Sequence, residues 1–159
     1  MNAYDRLMAR VRDVGSLQSI SSLLDWDQET YMPAKGVAAR ADQASLVAGM
    51  AHEMLIADDT RRALDESTAT PGDFSSETNI RETRRAFDRA YRVPTELVKE
   101  IAHASTHAKD AWAEARKNDR FGDFAPHLEK LVSLKKRVAE CIGYTTEPYD
   151  ALMDEFEPG

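Results

Sequence analysis

The sequence predicts an all-α protein, a multi-helix bundle of about five to seven helices forming a single helical region over residues 1–159. Three observations carry this reading. Apolar residues recur at steps of three and four in every segment. No segment alternates apolar and polar residues as a half-buried strand does. The interruptions fall at proline and glycine, which end helices by removing a donor or by conformational freedom.

The first helix is expected from Asn2 to about Val14, with Leu7, Met8, Val11 and Val14 on one face. Gly15 is read as an interruption, followed by a second apolar stretch through Leu17, Ile20, Leu23 and Leu24 to Trp26. Pro33 forces a break, because its ring removes a donor and restricts Met32 before it. A long helix follows from about Val37 to Leu64, whose stripe Val37, Ala41, Ala44, Ala48, Ala51 and Leu55 invites close approach by a neighbour. Ser67 to Phe74, with Pro71-Gly72, reads as a loop, and Ser75 or Ser76 as the cap of a helix reaching about Tyr91. Val93-Pro94 opens the next helix, to about Lys117, with the stripe Leu97, Ile101, Ala104, Ala108, Ala111 and Ala115 and with Trp112 beside it. Asp123 is the expected N-cap of a further helix, with Pro126 in its first turn. Its buried face is expected to be Phe124, Leu128, Leu131, Leu134, Val138 and Cys141, and Gly143 stands where a terminating glycine belongs. Pro148 starts a short final helix through Phe156, and Pro158-Gly159 ends the chain.

Composition narrows the function classes. With 42% hydrophobic and 31% charged residues the chain is globular in type, and the low aromatic content leaves the core to Leu, Val, Ala and Met. A net charge of -7 disfavours nucleic acid as a partner. Cys141 is the single cysteine, so neither an intrachain disulfide nor a thiolate metal cluster can form, and it reads as a core hydrophobe beside Ile142. The first residues are charged throughout and do not resemble a signal peptide. No apolar run approaches the ~18 residues that would suggest a membrane span. The expected compartment is the cytoplasm.

The candidate sites are thin. His52-Glu53 begins an H-E-x-x-H pattern, but Ile56 occupies the second ligand position, so the two histidines a zinc peptidase needs one turn apart are not present. His103 and His107 do stand four apart on a helix and form a weak metal-ligand pair, with Glu100 adding half of a carboxylate-rich di-iron pattern. The competing reading is a solvated acidic face shared with Glu96, Asp110 and Glu114. His127 has no partner at ligand spacing. Arg81, Arg84, Arg85, Arg89 and Arg92 read as a helix salt-bridged to the interspersed Glu77, Glu82 and Asp88, or as an anion-facing wall. No phosphate loop, nucleophile elbow or Cys/His dyad is visible. No catalytic residue is assigned.

One stretch is distinctive: Leu24-Asp25-Trp26-Asp27-Gln28-Glu29-Thr30-Tyr31-Met32-Pro33. With Gly36, Arg40, Gln43, Leu46 and His52 after it, it resembles the N-terminal signature of the thermostable, Taq-type metallocarboxypeptidase family. The likeness returns at Val93 to Val98, Ala111 to Arg116, Phe124 to Leu128 and Tyr149 to Gly159, in the same order. The resemblance implies the N-terminal helical part of a larger all-helical, usually dimeric enzyme that releases C-terminal amino acids from peptides using zinc or cobalt. It implies metal ligands on an H-E-x-x-H helix and a downstream glutamate, none of which maps onto a residue here. The chain itself is then expected to hold no cofactor and to lack catalysis, acting as scaffold and substrate-cleft wall; an alternative is a free-standing helical interaction module. Trp26, Asp27, Thr30, Met32, Pro33 and Arg40 are the residues of the expected cleft-wall or structural motif. Trp26 is expected to be buried, with Asp27 or Thr30 accepting backbone donors freed before Pro33. An apolar face, including Leu17, Ile20, Leu23, Leu24, Val47, Met50 and Met54, is expected to take a helical partner, either a second copy or the missing catalytic half.

Overall fold

The structure, a computed structural model, describes residues 2–70 and 73–156. Pro71-Gly72 of the expected loop and Pro158-Gly159 of the expected ending lie outside the described residues. Among the described residues there is no strand. Seven α-helices follow in order: α1 Ala3–Thr30, α2 Val37–Ile56, α3 Asp58–Glu66, α4 Phe74–Tyr91, α5 Thr95–Lys117, α6 Phe121–Ile142 and α7 Pro148–Met153. A single 3₁₀ turn, Ala34–Gly36, leads into α2.

Gly15 does not interrupt α1. The helix runs unbroken for 28 residues from an Asn2 cap, where the Asp5 amide donates to Asn2 Oδ1 at 2.8 Å and the Asn2 amide donates to the Asp5 carboxylate. An isolated helical glycine costs only ~1 kcal/mol relative to alanine, which the flanking helix formers and the burial of Leu7 and Val14 offset. The helix ends where expected: Tyr31 and Met32 both donate to the Asp27 carbonyl, and Pro33 cannot continue the ladder.

The long second helix is in fact two. Ala57 leaves helical geometry with φ -60 and ψ 149, separating α2 from α3. The buried Thr60 hydroxyl donates to the Met54 carbonyl at 2.8 Å, giving that carbonyl a partner at the corner. Asp58 and Asp59 sit in the first turn of α3, where negative charge complements the helix dipole. The cap of α4 is Asp73 rather than a serine; its carboxylate accepts from the Ser75 amide. Ser76 is buried and ties the loop down, accepting from Thr70 N–H and donating to the Asp73 carbonyl. Helix α6 begins at Phe121, so Asp123 is a first-turn residue paired with Arg120 rather than the cap, and Pro126 lies inside the helix. Gly143 ends α6 at φ +85, a conformation an L side chain adopts only under strain. The final helix stops at Met153, short of Phe156.

Helix α5 is the spine. It packs most extensively along α2 and next on α6, while α1 lies against α2 and α3. On α2, Gly49 is buried where Lys99 of α5 crosses it. A Cβ on Gly49 would come within 2.5 Å of Lys99 Cε, so glycine is what lets the lysine stem lie across α2. The apolar core includes two clusters. Leu7, Ala63, Leu64 and Phe87 join α1, α3 and α4, and Val93, Leu97 and Leu134 join the start of α5 to α6. Cys141 packs against the second cluster. Leu128, expected in the buried face of α6, is instead exposed, and the α6 side chains packed with Val93 and Leu97 are Leu134, Val138, Cys141 and Ile142.

Candidate functional site: the elbow between the first two helices

The distinctive segment forms a joint where α1 ends, the chain turns at Pro33 and α2 begins. Arg40, in the first turns of α2, reaches back across the elbow. Its guanidinium donates to the Leu24 carbonyl at 2.5 Å, to Asp27 Oδ2 at 2.5 Å and to Gln43 Oε1 at 3.1 Å. The Arg40 side chain is 13% exposed and that of Asp27 34%, so the pair is partly shielded from water. The planar, forked guanidinium can serve all three acceptors at once, which an ammonium cannot. Met32 folds over Gly36, where a Cβ would meet Met32 Cγ at 3.0 Å.

The same end of α1 is tied to α5. Lys109 bridges Asp25 at 3.1 Å and Glu29 at 3.3 Å. Burial pulls the Lys109 ammonium toward neutrality, but the two carboxylates outweigh it and hold its pKa above the ordinary lysine value. Gln28 donates to the Thr106 carbonyl at 2.9 Å. The contacts of Lys109 and Gln28 with the facing helix were not expected from the sequence. Their partners lie 84 and 78 positions away, and no local pattern signals such contacts.

Two expectations about this segment are corrected. Trp26 is not buried but 53% exposed, because Leu24 and Gln28 occupy the inward side of α1 and Trp26 projects from the other. It meets Tyr31 edge-on with ring centroids 5.5 Å apart. The freed donors before Pro33 do not go to the Asp27 carboxylate or to Thr30. They go to the Asp27 backbone carbonyl, the carboxylate is taken by Arg40, and the Thr30 hydroxyl donates to the Trp26 carbonyl at 2.8 Å. Ile20, Leu23, Trp26 and Tyr31 thus leave an exposed apolar row along the distal half of α1.

The remaining candidates are distributed elsewhere. His52 is buried, with Nδ1 3.0 Å from the Thr95 hydroxyl and Nε2 3.1 Å from the Ala90 carbonyl, so both nitrogens are used in joining α2 to the α4–α5 corner. His103 and His107 lie side by side on α5, with Asp42 of α2 3.7 Å from His103 Nε2. Glu100 does not join them. Lys130 and then Arg137 of α6 hydrogen-bond its carboxylate and lower its pKa below the ordinary glutamate value. Among the described residues there is no group of three or more His, Cys, Asp or Glu side chains that could hold a metal ion. The arginines of α4 pair largely between helices rather than within their own. Arg84 meets Asp65 of α3; Arg85 and Arg89 grip Asp154 and the Ala151 carbonyl beyond and within α7; and Arg92 donates to the Ile142 carbonyl at the end of α6. The helix that read as salt-bridged within itself, or as an anion-facing wall, is salt-bridged mainly outward, its arginines fastening α3, α6 and α7.

No helix among the described residues is long and apolar enough to cross a membrane. The profile of the family described as carboxypeptidase Taq (M32) metallopeptidase matches residues 6–159. Thermostable carboxypeptidase 1 of Pyrococcus furiosus is 32% identical over 158 residues, covering 97% of this chain and 31% of that protein. Thermostable carboxypeptidase 1 of Thermus thermophilus is 33% identical over 171 residues, covering 99% of this chain and 33% of the other. In three dimensions the crystal structure of BsuCP superimposes with a TM-score of 0.92 at 24% identity, covering 99% of this chain and 32% of that one. The chain spans about a third of the length of the curated relatives it matches.

Proposed function

The chain belongs to the carboxypeptidase Taq (M32) metallopeptidase family, matching the N-terminal portion of its members, and we propose that it serves as scaffold and substrate-cleft wall for peptide C-terminal cleavage. The observation that carries this reading is the exposed row Ile20, Leu23, Trp26 and Tyr31 on a helix end held by Arg40 and Lys109. A tethered helix end that leaves aromatic and aliphatic side chains uncovered in one row offers a surface for a partner. In this reading that something is the polypeptide equivalent to the other two-thirds of the relatives. The elbow then sets the position of the wall relative to the rest.

The family's metal chemistry does not fit these residues. His52 has both ring nitrogens committed, and Ile56 stands where its partner ligand would be. His52 therefore does not supply that ligand pair. The expectation is that the purified chain hydrolyses no peptide, with or without zinc or cobalt. Turnover that co-purifies with the chain would reject this.

The docking reading is tested by mixing the chain with a Thermus thermophilus carboxypeptidase polypeptide lacking the third that this chain matches. Sedimentation should show a one-to-one complex that Leu23→Ser/Trp26→Ser abolishes. A chain that stays strictly monomeric alone and in the mixture, and binds no hydrophobic dye, would rule the docking face out. Self-association alone, abolished by the same substitutions, would favour the free-standing interaction module.

A further inference from the structure

We propose that the groove between α6 and α7 is a binding site for an amphipathic carboxylate, a free acyl chain of medium length. The chain leaves α6 through Gly143 at φ +85 and returns as α7, opened by Pro148. Arg89 pins α7 by donating to the Ala151 carbonyl at 2.9 Å, and Arg85 pins the residue after it by pairing with Asp154 at 3.0 Å. Ala151 is buried, while Tyr149 and Leu152, three apart, share another face of α7. On α6, Leu134 and Val138 are used in packing with Val93 and Leu97, which leaves Leu131 and Val132 for the next face. Leu131, Val132, Pro148, Tyr149 and Leu152 line a groove of about 450 Å³ whose surface is almost entirely apolar. That volume lies within the ~300–1,000 Å³ of small-molecule sites, which are mainly apolar with a few polar groups that fix orientation.

The polar groups here are cationic. Lys135 and Lys136 line the same groove, their stems adding to its apolar wall while their ammonium groups stay at the rim. Among the described residues neither ammonium is paired with a carboxylate, whereas Lys130 of the same helix is taken by Glu100. The acid at the rim, Glu147, is committed as the cap of α7, its carboxylate accepting the Asp150 amide. An apolar floor beneath two unpaired ammonium groups selects a ligand with an apolar body and an anionic end. Length argues for a small molecule over a helix. From Leu131 to Lys136 the α6 wall rises only ~7.5 Å, whereas a docked helix anchored at i and i+7 needs ~10.5 Å.

The test is NMR titration of the intact chain with sodium octanoate. One equivalent should bind saturably, shifting the methyl signals of Leu131, Val132 and Leu152 and leaving those of Ile20 and Leu23 on the exposed α1 row in place. Octanoate should bind more tightly than hexanoate by up to ~15-fold, about fourfold for each further buried CH₂. The neutral analogue octan-1-ol should bind about 3–10-fold more weakly than octanoate, the advantage expected of solvent-screened charges. Lys135→Gln/Lys136→Gln should remove that advantage while leaving the affinity for octan-1-ol unchanged, which a loss of folding would not do. Absence of saturable shifts, shifts confined to Ile20 and Leu23, octan-1-ol binding as tightly as octanoate, or undiminished octanoate binding in the double variant would each overturn the proposal.

Discussion

Replacing Arg40 by alanine should destabilise the chain by about 3 kcal/mol, and the elbow geometry says where that number comes from. The guanidinium makes a charge-assisted bond to the Leu24 carbonyl, of a kind worth ~1.5–3 kcal/mol. Its pair with Asp27 is a third exposed on the carboxylate side, so its share is set near the ~1 kcal/mol of a solvent-screened pair rather than the larger value of a buried one. Together these give about 3 kcal/mol, which at ~2–4 °C per kcal/mol for a chain of this size is a fall in melting temperature of about 6–12 °C. Circular dichroism melts measure it directly. Arg40→Lys should recover less than half of the loss, because a single ammonium cannot serve Leu24, Asp27 and Gln43 together. A double-mutant cycle with Asp27→Asn should return a coupling of about 1 kcal/mol. A fall of less than about 2 °C in Arg40→Ala, or full recovery with lysine, would refute this role for the guanidinium.

Three further perturbations probe the rest of the frame. Gly49→Ala should change stability by less than about 1 kcal/mol in urea melts, because the helix-propensity gain offsets displacing the flexible Lys99 stem, whereas Gly49→Leu should cost about 1–3 kcal/mol by forcing α2 and α5 apart. Gly143→Ala should cost about 1–2 kcal/mol in the same assay despite open space around the new methyl, since the cost lies in the positive φ. Glu100 is held below its ordinary pKa by Lys130 and Arg137, so its contribution is present above the unfolded value of 4.5 and is lost as pH falls through the folded one. Stability measured from pH 7 downward should therefore show wild type and Glu100→Gln converging in acid, and parallel curves throughout would reject this linkage.

Helix number and type were legible because amphipathic spacing is a property of neighbours three and four apart. The stops at Pro33, Val93-Pro94 and Gly143 were legible because they are written in single residues with hard steric rules. The break at Ala57 was not. Alanine is the best helix former, and the corner is stabilised by the Thr60 hydroxyl reaching back to Met54. Gly15 misled in the opposite direction: a residue that weakens a helix locally was outweighed by the packing of the whole element.

By itself the sequence determined an all-helical chain, its likeness to one peptidase family and the failure of His52 to begin a complete H-E-x-x-H motif. Those depend on identities and short spacings that survive without coordinates. Only the tertiary structure decided that Arg40 clasps Leu24 and Asp27, that Lys109 secures the same helix end from α5 and that Trp26 faces outward. It also decided that the arginines of α4 fasten neighbouring helices and that Asp42 stands beside His103. Each of these is a meeting of residues distant along the chain. The direction in which a helix turns its side chains is set by what packs against it, and that is settled only when all the helices are in place.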